Sequence, residues 1–107
     1  MVVIPDYSCG MTTFFLFGNY SSDSIKKIDQ KRTKKAEKII QGFGGTLKWV
    51  YALVGQDDLL FMVELPGVPE AVQVSLAISV ETGISIRSAP AVPVALFDDL
   101  AVAALRT

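Results

Sequence analysis

The chain has 107 residues and a net charge of −1 at pH 7, and half of its residues are hydrophobic. This length predicts one small domain, and a mean hydropathy of +0.41 is high for a domain that must cover itself with polar surface. The absence of histidine and the single cysteine, Cys9, exclude Ser-His-Asp and Cys-His catalysis, His-ligated zinc and an intrachain disulfide.

The first half of the chain predicts a strand, a helix and two further strands. The aromatic run TTFFLFGNY, bounded by turn residues, predicts a strand at 12–20. From Ile25 to about Gln41 the apolar residues recur with a spacing near 3.6, which predicts an amphipathic helix that ends at the glycines of GFGG. The runs TLKWVYALV and LLFMVEL predict strands at 46–54 and 59–65. Strict alternation in the former places Leu47, Trp49, Tyr51 and Leu53 on one face and Lys48, Val50, Ala52 and Val54 on the other.

The second half predicts a helix at 69–82 after the breaker PGVP, a strand from 84 to about 92, and a short helix at 96–105. The order β-α-β-β-α-β predicts an α+β, ferredoxin-like fold with a four-stranded antiparallel sheet. Strands 1 and 3 are predicted to be central because they are the most apolar. Strands 2 and 4 are predicted to be edges, because Lys48, Arg87 and Pro90 are residues that prevent an edge strand from pairing with a further strand.

Both faces of the predicted central strands are apolar. In strand 1, Phe14 and Leu16 lie on one face and Phe15 and Phe17 on the other, and Glu64 is the only charge in strand 3. Helices cover one face of a ferredoxin-like sheet, so the second face needs another cover. We therefore predict a homodimer or higher homo-oligomer that packs sheet against sheet.

The predicted helix at 69–82 is also apolar on most sides, since its only charges are Glu70 and Glu81. Such a helix is buried by more than its own sheet. Either the C-terminal segment ALFDDLAVAAL or a further subunit is expected to cover it.

The polar hairpin Gly55-Gln56-Asp57-Asp58 has two interpretations. As a turn, it uses glycine for conformational freedom and aspartate to accept hydrogen bonds from backbone amides. As a site, its paired carboxylates would split their pKa values or bind a hard cation. The turn is favoured because adjacent residues on an extended chain point to opposite faces. We expect Asp58 to brace the hairpin.

Seven of the ten basic residues lie between residues 26 and 38, giving that segment a charge of +5 while the rest carries −6. An anion-binding or nucleic-acid patch is one interpretation. The solvated face of an amphipathic helix is favoured, because the chain is acidic overall and the helix lacks stacking aromatics. We therefore predict no nucleic-acid partner.

No segment predicts an association with a membrane. The longest apolar runs, FFLF and LLFMV, are far shorter than the roughly 20 residues of a spanning helix. Residues 1–10, MVVIPDYSCG, lack the basic region and long apolar run of a signal peptide. We expect a cytoplasmic protein with a poorly ordered extension at 1–10 and a single domain at 11–107.

The run GFGGTLKWVYALVGQDDLLFMVELPG, with MTTFFLFGNY before it and VSLAISVETGISIRS after it, resembles the GYD-domain family. The resemblance covers roughly residues 11–97. The family signature is a glycine followed by tyrosine and aspartate; Gly55, Gln56 and Asp58 fit it, and Asp57 stands in the place of the tyrosine. The resemblance implies a dimeric α/β-barrel type of ferredoxin-like fold and homodimerisation, but no assigned activity.

Relatives of the dimeric α/β-barrel type hold small apolar or aromatic ligands, so the resemblance implies a small-molecule binding or accessory role without cofactor or metal. Trp49 and Tyr51 are the candidate ligand-binding residues, although core or interface positions are the commoner fate of such aromatics. One alternative is a cofactor-independent monooxygenase or isomerase, and another is a structural interaction module. The candidate catalytic residues are Tyr20, Asp58, Glu64 and Arg87.

Overall fold

The computed structural model describes residues 11–26 and 30–106. The predicted extension at 1–10, which includes Cys9, lies outside the described residues. The strands are Thr12–Tyr20 (β1), Thr46–Ala52 (β2), Leu59–Leu65 (β3) and Ile84–Ala91 (β4). The helices are Ser22–Ile25 (α1), Lys31–Gly42 (α2), Val68–Thr82 (α3) and Val94–Leu105 (α4).

The four strands form one antiparallel sheet in the order β2-β3-β1-β4. β1 pairs with β3 from Thr12↔Leu65 to Gly18↔Leu59, and with β4 on its other side. This arrangement confirms the α+β, ferredoxin-like prediction, with the two most apolar strands at the centre.

One face of the sheet packs against α2 and α3 and forms the core. The buried residues of the central strands alternate along the chain, as the period of a strand requires. The core cluster comprises Phe14, Leu16, Phe61, Val63 and Leu65 from the sheet and Ala36, Ile40, Ala71, Val74 and Ile78 from the helices. Each large side chain buried here contributes about 1.5–3 kcal/mol.

The single helix predicted from Ile25 to Gln41 is wrong, because the structure has α1 and α2 in its place. A capping box starts α1 earlier: Ser21 Oγ accepts from the amide of Ser24 at 3.0 Å, and Ser24 Oγ accepts from the amide of Ser21 at 2.6 Å. Ile25 is 53% exposed and begins no buried stripe. α1 ends with a C-cap at Lys26, and α2 begins at Lys31.

The prediction of strict alternation in β2 is also wrong. The pairing with β3 shifts between Leu47 and Trp49, so Lys48 is an extra residue at a β-bulge. Leu47 and Val50 therefore pack against the core, whereas Trp49 lies opposite Met62 on the other face. β2 also ends at Ala52, before the predicted Val54.

The C-terminal helix α4 does not cover α3. Leu96 is its one buried residue in the described chain, and α4 makes no extended contact with another element. On α3, Val72 and Leu76 remain 50% and 62% exposed. Two apolar helical surfaces thus lie open in the single chain.

Candidate functional site

The face of the sheet that points away from the helices, here called the open face, carries a continuous apolar surface. The pairing places two large apolar residues from each of three neighbouring strands on it: Phe15 and Phe17 from β1, Leu60 and Met62 from β3, and Trp49 and Tyr51 from β2. Trp49 is 59% exposed and Tyr51 is 55% exposed. Exposed patches of large apolar side chains usually mark a surface that another molecule covers.

Trp49 and Tyr51 reach the open face because of the bulge in β2. Without the extra residue Lys48, the two aromatic rings would share the face of Leu47, which packs against the core. Lys48 itself forms a salt bridge with Glu64 on β3, at 3.2 Å between Nζ and Oε1. The bulge thus redirects both aromatic side chains, a common use of such irregularities next to binding sites.

Arg87 of β4 closes one side of the open face. Its guanidinium lies over the ring of Phe17, 4.8 Å from the centroid, and its Nη2 is 2.7 Å from Oδ2 of Asp57. Asp57 Oδ1 accepts a second hydrogen bond from Asn19 Nδ2 at 2.9 Å. A cation over an aromatic face and a charge-assisted hydrogen bond hold Arg87 in place.

The hairpin of Asp57 and Asp58 is attached to the end of β1. Asp58 Oδ2 accepts from the amide of Tyr20 at 2.9 Å, and the amide of Asp58 donates to the carbonyl of Gly18 at 2.9 Å. The two adjacent carboxylates therefore bind different partners, Asp57 the side chains of Arg87 and Asn19 and Asp58 the backbone of β1. They do not converge on one point in space.

The four candidate catalytic residues do not form a single constellation. Tyr20, Asp58 and Arg87 lie near one end of the sheet: Asp58 accepts from the backbone amide of Tyr20, and Arg87 pairs with the neighbouring Asp57. Glu64 pairs with Thr13, near the other end of β1. Along the strands it is about 13 Å from the position of Arg87, opposite Phe17, and about 23 Å from Tyr20. A reaction using all four groups on one small molecule is incompatible with this separation.

A small cavity of about 30 Å³ lies between the sheet and the helices, at the Tyr20 end of β1. Its lining includes Tyr20, Arg32 and Thr82 but neither Trp49 nor Tyr51. The guanidinium of Arg32 lies 4.7 Å from the centroid of the Tyr20 ring. This volume accommodates about one water molecule, so it is too small for an aromatic ligand.

Arg32 and Asn19 make contacts at this end of the sheet but are not among the residues predicted from the sequence. Arg32 precedes the buried residues Ala36 and Ile40 at a spacing of four, so its side chain shares their face of α2. That spacing was a usable signal. Asn19 offered no such signal, because its contact with Asp57 joins residues 38 positions apart. Within residues 11–26 and 30–106, no group of three or more acidic or cysteine side chains is placed to hold a metal ion.

The sequence and structure were compared with those of known proteins. The GYD domain family matches residues 14–101. The chain belongs to the GYD-domain family. No curated protein matches the sequence. In the described part of this GYD protein, no helix is long and apolar enough to cross a membrane.

Solved structures with a similar fold include three regulators at low sequence identity. The leucine response regulatory protein LrpA of Mycobacterium tuberculosis is 12% identical, with a TM-score of 0.55, and the match covers 87% of this chain and 59% of that one. A transcriptional regulator is 13% identical with a TM-score of 0.62, covering 87% and 58%. An AsnC family regulator from Agrobacterium tumefaciens is 18% identical with a TM-score of 0.55, covering 87% and 59%.

These likenesses show the ferredoxin-like fold of the GYD protein. The chain spans less than two thirds of the length of each of these regulators.

Proposed function

We propose that this GYD protein is a homodimeric binding module whose open face packs against the same face of a second copy and holds a small apolar or aromatic molecule between the two sheets. The observation that carries the proposal is the apolar surface across three strands, with Trp49 and Tyr51 each more than half exposed. Covering a large apolar side chain contributes about 1.5–3 kcal/mol.

A twofold arrangement suits this surface because the same patch is used on both copies. The residues on the open face alternate with core residues along β1 and β3, so pairing two open faces gives each sheet a second apolar layer. Arg87 and Lys48 stand near opposite edges of the patch. A polar rim around an apolar centre is typical of protein interfaces.

Trp49 and Tyr51 are the proposed ligand contacts. Both lie on the edge strand β2, with an apolar ring and a polar tip, so they suit an aromatic molecule that needs one or two hydrogen bonds for orientation. Several proteins of similar fold are described as transcription regulators, one as a leucine response regulatory protein. That description supports an accessory, ligand-responsive role. A cytoplasmic location and a single domain at 11–107 stay predictions from the sequence.

Trp49 provides the test because it is the only tryptophan in the chain. At high protein concentration its fluorescence is expected at shorter wavelength, since the partner covers it, and dilution below the dissociation constant should shift the emission to the red. Titration with 1-naphthol, a model aromatic ligand, should quench the emission saturably, and Trp49→Phe with Tyr51→Ala should weaken retention of the ligand in native mass spectrometry. An emission wavelength that does not change on dilution, together with an intensity that does not change with 1-naphthol, would contradict the proposal.

The structural interaction module is the second candidate. The cavity of about 30 Å³ between sheet and helices is too small for an aromatic ligand, which favours self-association without a ligand. In that case dilution shifts the Trp49 emission while 1-naphthol has no effect. The enzyme alternative has weaker support, because Glu64 lies far from Tyr20, Asp58 and Arg87.

A further inference from the structure

We propose that α4 of one copy docks into the groove between α2 and α3 of a second copy. This contact uses the helical side of the molecule and is distinct from the proposed pairing of open faces. It rests on three observations: an apolar helix without a cover, a groove of matching character, and complementary charges on the two surfaces.

The helix α4 is apolar almost all round. Asp98 and Asp99 are its only charged residues. Its large side chains are exposed except for Leu96: Val94 at 74%, Phe97 at 60%, Leu100 at 43%, Val102 at 50% and Leu105 at 86%. A helix of this composition is stable in water only when it is buried against another element.

The groove lies between α2 and α3 and has a volume of about 500 Å³. Its apolar residues are Ile39 from α2, Phe43 directly after α2, and Ala77 from α3. The outer side of α3 extends this surface with an exposed stripe at a spacing of four: Val68, Val72, Leu76 and Val80. The 12 residues of α4 measure about 18 Å, a length comparable with that of the helices that form the groove.

The charges of the two surfaces are complementary. Lys35 and Lys38 line the α2 side of the groove, with Glu81 on the α3 side. On α4, Phe97, Leu100, Ala101 and Ala104 share one apolar face at helical spacing. Asp98 borders this face on the Ala101 side, and Asp99 lies beyond the buried Leu96 on the other side. Within the described residues, none of these two lysines and two aspartates forms an ion pair. An apolar helix in a groove with a charged rim is a common mode of recognition.

The occupant belongs to a second copy because the chain directs its own α4 elsewhere. α2 packs against β2 at one edge of the sheet, whereas α4 follows β4 at the other edge after only Val92 and Pro93. In the single chain, the stripe on α3 and the apolar side chains of α4 are exposed at the same time. Reciprocal exchange of α4 between two copies covers both surfaces and closes the assembly.

Cysteine cross-linking between full-length chains tests the docking. In a Cys9→Ser background, chains with Leu100→Cys are mixed with isotope-labelled chains that carry Ala77→Cys in the groove. The control partner carries Gln56→Cys, an exposed residue of the distant hairpin. Docking should give mixed disulfide dimers about tenfold above the control, because it raises the local concentration of the two thiols.

Exchanging the charges of the groove and of α4 shows whether the disulfide forms through the proposed docking or through chance collision. Lys35→Glu with Lys38→Glu in the groove chain should lower the mixed yield about fivefold, and Asp98→Lys with Asp99→Lys in the other chain should restore it. Lys34→Glu, on the same helix but not in the groove, should leave the yield unchanged.

Three outcomes would overturn the docking. They are a yield equal to that of the Gln56→Cys control, a loss that Lys34→Glu reproduces, or a disulfide that forms only within one chain when both cysteines are on it. The last outcome would mean that α4 folds onto its own groove. Trp49 emission in the same samples reports the pairing of open faces separately, so failure of either contact is distinguishable from failure of the other.

Discussion

Asp58 connects the β2–β3 hairpin to the central strand through its side chain and its backbone. The carboxylate accepts from the amide of Tyr20, and the amide and carbonyl bind Gly18 and Leu53. Tyr20 is the last residue of β1, beyond the stretch that pairs with β3, and its amide has a side-chain acceptor there. A partly buried amide that loses its acceptor destabilises a fold by about 1–3 kcal/mol.

Replacement of Asp58 by alanine should therefore lower the melting temperature by about 4–8 °C for each kcal/mol lost, as measured by circular dichroism. Asp58→Asn keeps one oxygen as an acceptor and should lose less, and Gln56→Ala in the same hairpin should change little. A melting curve for Asp58→Ala that overlays the unsubstituted protein would show that Asp58 does not brace the hairpin.

The ion pair of Arg87 with Asp57 illustrates what the sequence cannot show at this scale. The acidic hairpin was visible as a candidate turn, and Arg87 as a residue of an edge strand. Their pairing depends on the register that places Arg87 opposite Phe17 and on the fold that brings the hairpin to the same end of the sheet. Arg87 is 66% exposed, so this pair contributes little to stability.

At the scale of elements, the strands β1 and β3 follow the sequence prediction from first to last residue. Turn residues bound the apolar run of each strand, so the sequence indicates both the strand and its first and last residues. The bulge in β2 was not predictable from alternation, because one unpaired residue reverses the face of every residue after it. The apolar period predicts one long helix, whereas the capping box of Ser21 and Ser24 begins a separate short helix, α1.

At the junction between α2 and β2, the backbone of Gly45 lies very close to Glu64 and Leu65 of β3. A Cβ atom on Gly45 would overlap the Leu65 side chain and would lie 2.7 Å from the carbonyl oxygen of Glu64. On Gly42, the last residue of α2, an added Cβ would meet nothing within 4 Å. The same substitution therefore has opposite consequences three residues apart.

Gly45→Ala should destabilise the protein by about 1–3 kcal/mol because the backbone or Leu65 must move. Gly42→Ala should stabilise it by up to about 1 kcal/mol, since alanine restricts the unfolded chain and favours the helix. Urea denaturation of both variants measures the two free energies of unfolding. Equal destabilisation by both would show that the tight packing at Gly45 is not the cause.

For the whole molecule, the sequence indicated the apolar surplus but not its distribution. The core accounts for one face of the sheet, and much of the remaining apolar surface falls into two patches, the open face and the exposed side chains of α3 and α4. The sequence predicted that either the C-terminal segment or a further subunit covers α3. In the single chain α4 leaves α3 exposed, so the C-terminal segment of the same chain is not the cover. Assembly between copies is thus the common explanation that we propose for both patches.

The pairing of open faces makes a prediction about Met62, which lies on the central strand β3 with Phe15 and Trp49 as its cross-strand neighbours. Met62→Lys should separate the copies that pair through the open face, because a buried and unpaired ammonium at the centre of that interface costs several kcal/mol. Once the two faces are apart, the lysine extends to water, so the fold should keep its helical and strand content. Val54→Lys, a fully exposed apolar residue beyond β2, is the matched control. Static light scattering at micromolar concentration should give half the mass for Met62→Lys and an unchanged mass for Val54→Lys. If both variants keep the mass of the unsubstituted protein, the open face is not where the copies meet, and the aromatic residues Trp49 and Tyr51 need another partner.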